Sequence, residues 1–94
     1  MTRAQIIDTL GLDEEETLFM DGYDDCIAGA VMQFGRPAVV CYDYEKVIAS
    51  HMKDGMDREE AIEFFEFNQL GAWVGESTPC FINTLPKRGR GRGR

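Results

Sequence analysis

The chain has 94 residues, which is enough for one domain at most and leaves a core in which each aromatic side chain matters. A hydrophobic content of 44% with 11% aromatic residues is typical of a folded globule and excludes a disordered body. All 17 acidic residues precede residue 77, whereas five of the ten basic residues lie in the last eight positions. Residues 1–86 therefore set five cations against 17 anions, a net charge of −12, and residues 87–94 carry +5.

The chain carries neither a membrane-spanning pattern nor an export pattern. No apolar run approaches the roughly 18 residues that a transmembrane helix needs. The first residues, MTRAQIIDTLGLDEEE, contain no apolar signal segment, so we expect a protein that stays in the cytoplasm.

The cysteines Cys26, Cys41 and Cys80 are odd in number, far apart in the sequence and without a CxxC spacing. With His51 they would supply four zinc ligands, but paired ligand spacings are missing. We therefore predict reduced, buried thiols and no metal or other cofactor.

The first two predicted elements lie in residues 2–22. TRAQIIDTLG predicts a helix that Thr2 caps, with Gln5 completing a capping box and Gly11 ending it. After an acidic link, TLFMDG predicts a short strand that runs into a turn.

The segment CIAGAVMQFGRPAVVCYD fits either a helix or a hairpin. Ile27, Val31 and Phe34 have helical spacing, but Gly29 weakens a helix and FGRP is typical of a bend between strands. We favour a hairpin of CIAGAVMQ against AVVCYD.

Two helices follow with almost no linker between them. Asp43 caps DYEKVIASHMKDG, and Asp57 with Glu60 forms an acidic capping box at the start of MDREEAIEFFEFNQLG, which ends at Gly71. The short connection predicts an αα-hairpin.

The final segment, AWVGESTPCFIN, predicts a bent edge strand or two short strands, because Gly75 and Pro79 interrupt its β-favouring residues. The whole pattern predicts a single compact α+β domain over residues 1–86, with a small, largely antiparallel sheet packed against the αα-hairpin. Residues 87–94 are predicted to be a disordered basic tail.

The helix after Asp57 has an apolar side and an acidic side. Its apolar side contains Ala61, Ile62, Phe64 and Phe65, and its acidic side contains Glu59, Glu60, Glu63 and Glu66. Phe67 and Asn68 break this pattern, because the ring projects among the glutamates and the amide projects from the apolar side. Either the helix changes course near Phe67, or an amide is buried while a phenyl ring is exposed.

Three residues near the end of this helix have competing interpretations. We expect Asn68 to hydrogen-bond to backbone in the turn that leads to Trp73, and Trp73 to anchor the core. Phe67 either packs under the final strand or is exposed and joins the four glutamates in a partner-binding face.

The sequence contains no recognised catalytic motif. His51 shares a helix side with Val47 and Ile48, which predicts a partly buried, hydrogen-bonded histidine, although a catalytic pairing with a cysteine stays open. Phosphate-loop, nucleophile-elbow and zinc-protease patterns do not occur. We therefore predict no catalytic residues and a protein that is not an enzyme.

The tail KRGRGRGR alternates arginine with glycine. Its basic residues are Lys87, Arg88, Arg90, Arg92 and Arg94. Such a segment either binds RNA or single-stranded nucleic acid weakly and with strong salt dependence, or docks on the acidic body, or stays solvated with no task.

Residues 42–81 resemble a family of small uncharacterised proteins that are common in bacteriophage and prophage genomes. The most diagnostic run is EEAIEFFEFNQLGAWVGESTP, and LFMDGYDDCIAGAVMQFGRPAVV is a looser match upstream. The resemblance covers about two-thirds of the chain and excludes residues 1–17 and the tail. It implies a virus-encoded protein that acts in bacterial cytoplasm, and it carries no residue roles over.

Together these observations predict a small accessory protein that binds a host or phage macromolecule with a basic surface, for example as an inhibitor or regulator of a host protein. The predicted binding residues are Glu59, Glu60, Glu63, Glu66 and Phe67. The alternatives are a nucleic-acid-associated protein that uses the tail and an enzyme of unknown chemistry.

Overall fold

A computed structural model describes residues 1–70, 75 and 77–86. The helices are α1 (Arg3–Leu10), α2 (Tyr44–Lys53) and α3 (Arg58–Phe65), and the strands are β1 (Ile27–Gln33), β2 (Arg36–Asp43) and β3 (Cys80–Ile82). A short 3₁₀ turn, Asp24–Cys26, precedes β1, and a stretch of π-helix, Glu66–Leu70, continues α3 and is called the π segment below. The chain is an α+β fold, as predicted.

The three predicted helix starts are confirmed. Thr2 caps α1 in a reciprocal capping box with Gln5, and Asp43 accepts a hydrogen bond from the Lys46 backbone N–H at the start of α2. Asp57 accepts from the Glu60 N–H, while the Glu60 carboxylate accepts from the Asp57 N–H. Each contact satisfies a backbone donor that the first helical turn cannot pair internally.

The segment that fitted either a helix or a hairpin forms the hairpin. β1 pairs with β2 in antiparallel register, with Ala30 opposite Val40 and Val31 opposite Val39. Gly35 adopts φ +78° in the connecting turn, a left-handed conformation that glycine enters without strain.

The final strand is confirmed at the sheet edge, but it is short and begins only after Pro79. β3 pairs parallel to β2, so the strand order is β1-β2-β3 and the sheet is mixed. The remainder of the predicted strand, residues 71–74 and 76, lies outside the described residues, as do Gly71 and Trp73 and the predictions made for them.

The short strand predicted in TLFMDG is wrong, although the turn at its end is present. Residues 17–20 are irregular backbone instead, and they lie against the core without being buried. The Met20 backbone N–H donates to the buried Tyr42 hydroxyl at 2.7 Å, while Phe19 and Met20 pack against the core. A side-chain acceptor from β2 therefore satisfies a backbone donor that a strand would pair in a ladder.

The core lies between one face of the sheet and the αα-hairpin of α2 and α3. Its fully buried side chains include Val40 and Tyr42 from β2 and Val47 and Ile48 from α2. Phe65 from α3 closes the layer, with its ring 4.8 Å from that of Phe81 on β3. In the part of the chain that the structure describes, no helix is long and apolar enough to cross a membrane.

Candidate functional site

The helical stretch after Asp57 changes its geometry at Glu66. α3 ends at Phe65, and the π segment continues with a wider turn in which each backbone N–H pairs five residues back. None of the side chains of the π segment is fully buried. Of the two alternatives that the sequence left open, the change of course near Phe67 is the one observed, and Asn68 is not buried.

Phe67 projects into solvent with 89% of its surface exposed. The alternative in which this ring packs under the final strand is wrong. Phe65, two residues earlier, is 2% exposed and fills the position that faces β3. The two rings therefore lie on opposite sides of the helical stretch, Phe65 in the core and Phe67 on the acidic side.

Glu63, Glu66 and Phe67 line one shallow cavity of about 410 Å³, which we call the acidic site. Both glutamates are exposed, and within the described ranges neither forms an ion pair. Arg58, the one cation of α3, is held instead by the carboxylate of Glu45 through two hydrogen bonds of 3.0 and 2.9 Å. The negative charge of the acidic site is therefore not neutralised from within its own helix.

Two further predicted binding residues lie outside this cavity. Glu59 and Glu60 are exposed at the first turn of α3, about two turns before Phe67. The Glu60 side chain is engaged in the capping box, with Oε1 3.0 Å from the Asp57 nitrogen. The structure thus brings together three of the five predicted residues and gives Glu60 a structural task.

Asn68 is hydrogen-bonded to backbone, but in the direction opposite to the predicted one. Its side-chain amide donates to the Phe64 carbonyl at 3.1 Å, one turn earlier in the chain, and the residue is exposed. An α-helix would pair that carbonyl with the backbone N–H of Asn68 itself. The side chain therefore stabilises the point at which α3 gives way to the π segment.

The π segment also supplies a contact that the sequence analysis did not identify. His51 is 2% exposed, and its Nε2 is hydrogen-bonded to Oε1 of Gln69 at 2.8 Å. The rings of Tyr23 and Phe64 pack edge-on against the imidazole, with centroids 5.7 and 4.8 Å away. The predicted buried, hydrogen-bonded histidine is confirmed, and its partner is an amide rather than a cysteine.

The thiols are free, and two of them are neighbours. Cys41 and Cys80 are register partners on β2 and β3, whereas Cys26 is buried in the core cluster. Among the residues that the structure describes, no group of three or more His, Cys, Asp and Glu side chains is placed to hold a metal ion.

A second cavity, of about 420 Å³, is mostly apolar. Its lining residues are Leu18, Phe19, Met20, Asn68, Gln69, Thr78, Pro79 and Phe81. None of these described lining residues carries an ionisable side chain for acid–base work at neutral pH, so they supply no proton-transfer group.

The basic tail lies outside the described residues, so its predicted nucleic-acid contacts stay predictions. The chain matches no known protein family model, no curated protein and no solved structure.

Proposed function

We propose that this is a phage-encoded accessory protein, without enzymatic activity, that binds a basic surface of a host or phage protein in the bacterial cytoplasm. The acidic site is the centre of the interface. The observation that carries the proposal is the ring of Phe67, which is 89% exposed and lines one cavity with Glu63 and Glu66, neither of which forms an ion pair with a described residue.

Charge supplies the first part of the argument. Residues 1–86 carry a net charge of −12, and such a body is attracted to a positively charged partner and repelled by nucleic acid phosphates. Within the acidic site, Glu63 and Glu66 lie on the same side of the helix as Phe67. Because exposed charges are screened beyond about 10 Å at 0.1 M salt, association by this route weakens as ionic strength rises.

The exposed aromatic ring supplies the second part. Carboxylates alone are usually just solvated, whereas partly buried aromatic anchors carry much of the free energy of protein association. Phe67 contributes little to the core, since its neighbour Phe65 occupies the buried position. A ring that the fold does not use and that stands in a charged rim matches the anchor-and-rim arrangement of a protein interface.

The test uses a photo-crosslinking phenylalanine analogue at position 67 of the intact chain, incubated in bacterial lysate at low and high salt. The same analogue at Phe34, which is fully exposed at the β1–β2 turn, is the matched control. We expect a discrete protein adduct from position 67 that declines with salt, and no equivalent adduct from position 34. Similar adducts from both positions would contradict the proposal.

A charge-matched pair of double variants separates the acidic site from net charge. Glu63→Lys with Glu66→Lys alters the site, and Glu14→Lys with Glu15→Lys makes the same change in net charge on the exposed link after α1. We expect loss of the adduct in the first double variant and retention in the second. Equal loss in both would mean that only overall charge matters.

The tail supports a second candidate function, because half of the chain's basic residues lie in residues 87–94. In that case the protein is nucleic-acid-associated, and the chain that ends at residue 86 loses its salt-sensitive retention on RNA or DNA. The crosslink at position 67 should survive that truncation. Its loss on truncation would assign partner binding to the tail.

A further inference from the structure

Cys41 and Cys80, distant in sequence, are adjacent in the sheet. Cys41 lies on β2, Cys80 is the first residue of β3, and the two are register partners in the parallel pair. Because register partners on neighbouring strands project from the same face of a sheet, their side chains lie side by side. Neighbouring strands are about 4.8 Å apart, and disulfide-linked residues have Cα atoms about 4.4–6.8 Å apart.

The two thiols differ in their access to solvent. Cys41 is buried, whereas Cys80 is half-buried and lines a cavity of about 350 Å³ on the outer face of the sheet. Gln33, Arg36 and Thr78 line the same cavity. A small oxidant can therefore reach the sulfur of Cys80 from solvent, whereas the sulfur of Cys41 is buried and less accessible.

The protonation of Cys41 also limits its reactivity. Burial raises the pKa of the Cys41 thiol to about 11, and the neighbouring Cys80 thiol contributes to the same shift. Cys41 consequently keeps its proton at neutral pH. Since the thiolate is the reactive form of cysteine, the accessible Cys80 is the sulfur that attacks first.

We propose that Cys41 and Cys80 form a peroxide-sensitive dithiol, a reversible modification site that closes to a disulfide between β2 and β3. This inference goes beyond the proposed binding function and does not depend on it. Oxidation ties the three-residue edge strand covalently to the centre of the sheet. The bond would span directly paired positions on parallel strands, and thiol–disulfide exchange with a reductant reverses it.

The chemistry proceeds in two steps with hydrogen peroxide as the oxidant. The Cys80 thiolate attacks one peroxide oxygen, the O–O bond breaks, and the departing hydroxide takes up a proton to become water, which leaves Cys80 as a sulfenic acid. The Cys41 sulfur then attacks the Cys80 sulfur, the S–O bond breaks, and the hydroxide leaves with the Cys41 proton as a second water. Two thiols and one peroxide become one disulfide and two waters.

The experiment treats the full chain with hydrogen peroxide in a Cys26→Ala background. That substitution matters because trypsin does not cleave before Pro37, so Cys26 and Cys41 otherwise share one tryptic peptide. We expect the intact mass to fall by two hydrogens and a cross-linked peptide pair to join residues 41 and 80. A thiol reductant should reverse both changes, and the oxidised chain should resist denaturant to a higher concentration than the reduced chain.

Two further variants assign the roles. Cys41→Ala should trap Cys80 as a sulfenic acid that a dimedone-type reagent labels, and Cys80→Ser should abolish the reaction at peroxide concentrations that oxidise the Cys26→Ala chain completely. The chain that retains both cysteines carries the central test, so misfolding of either variant leaves that test intact. Over-oxidation of Cys80 without a disulfide, or a disulfide only between separate molecules, would overturn the proposal.

Discussion

α3 and the π segment are consecutive parts of one helical stretch, yet they are built differently. α3 begins with a reciprocal capping box and buries Ala61 and Phe65. The π segment has no buried side chain and turns Phe67 into solvent. α3 therefore stabilises the fold. The π segment is held by two contacts, Asn68 with the Phe64 carbonyl and Gln69 with His51, and presents an aromatic ring to solvent.

The largest expected difference is between the two phenylalanines themselves. Phe65→Ala should lower the free energy of unfolding by about 3–5 kcal/mol, because it removes a buried ring that packs against Tyr44 and Phe81. Phe67→Ala, the matched control, should change it by less than about 0.5 kcal/mol, since the ring is exposed. Urea denaturation of both variants measures the difference, and similar losses would remove the distinction between the two regions.

Gln69→Leu should lower the free energy of unfolding by about 1–3 kcal/mol, because the buried imidazole of His51 loses its hydrogen-bond partner. Leu70→Ala, at the exposed neighbouring position, is the control and should have an effect below about 0.5 kcal/mol. Urea denaturation measures both changes, from the shift in midpoint of each variant at an unchanged dependence of the unfolding free energy on urea concentration. An unaffected Gln69→Leu chain would mean that the π segment is not attached to the core through His51.

At the start of α3, Asp57→Ala should cost about 0.5–2 kcal/mol, because the Glu60 backbone N–H loses its acceptor. Asn68→Ala, at the exposed end of the same stretch, should cost less. Thermal unfolding of the two variants ranks them. If Asn68→Ala were the more destabilising, the α-to-π change would contribute more to the fold than the capping box does.

The smallest expected effect is the pH dependence of the Arg58–Glu45 pair. Hydrogen bonds from Arg58 lower the pKa of the Glu45 carboxylate, so its contribution to stability is present above the unfolded pKa and is lost as pH falls through the folded value. Both side chains are about half exposed, which keeps the contribution small. As pH is lowered from about 6 to 3, the free energy of unfolding should fall more steeply for the natural chain than for Arg58→Gln. Identical curves would show that the pair contributes nothing.

The confirmed parts of the fold are those that depend on residues close together in the chain. The caps at Thr2, Asp43 and Asp57 each involve a partner three residues away, so the sequence pattern is sufficient to predict them. The strand predicted in TLFMDG was wrong because the Met20 N–H finds the hydroxyl of Tyr42, which is 22 positions away. Local propensity carries no information about such a partner.

The same distinction between local and distant contacts applies to the candidate site. The pattern break at Phe67 and Asn68 was visible in the sequence and marked the change of helix geometry. The pairing of Gln69 with His51 and that of Cys41 with Cys80 were not visible, because they form between elements that meet only after the sheet and hairpin assemble. The parallel pairing of β3 with β2 was also not predictable from the sequence, because its register depends on a crossover connection and not on a tight turn.

The most direct test of the account is hydroxyl-radical footprinting of the intact chain, with oxidation assigned to individual phenylalanines by fragment mass spectrometry. The account predicts that Phe67 is labelled about as fast as the fully exposed Phe34, while Phe65 is protected. Protection of Phe67 to the level of Phe65 would contradict it, because a ring covered by the fold is not available to a partner.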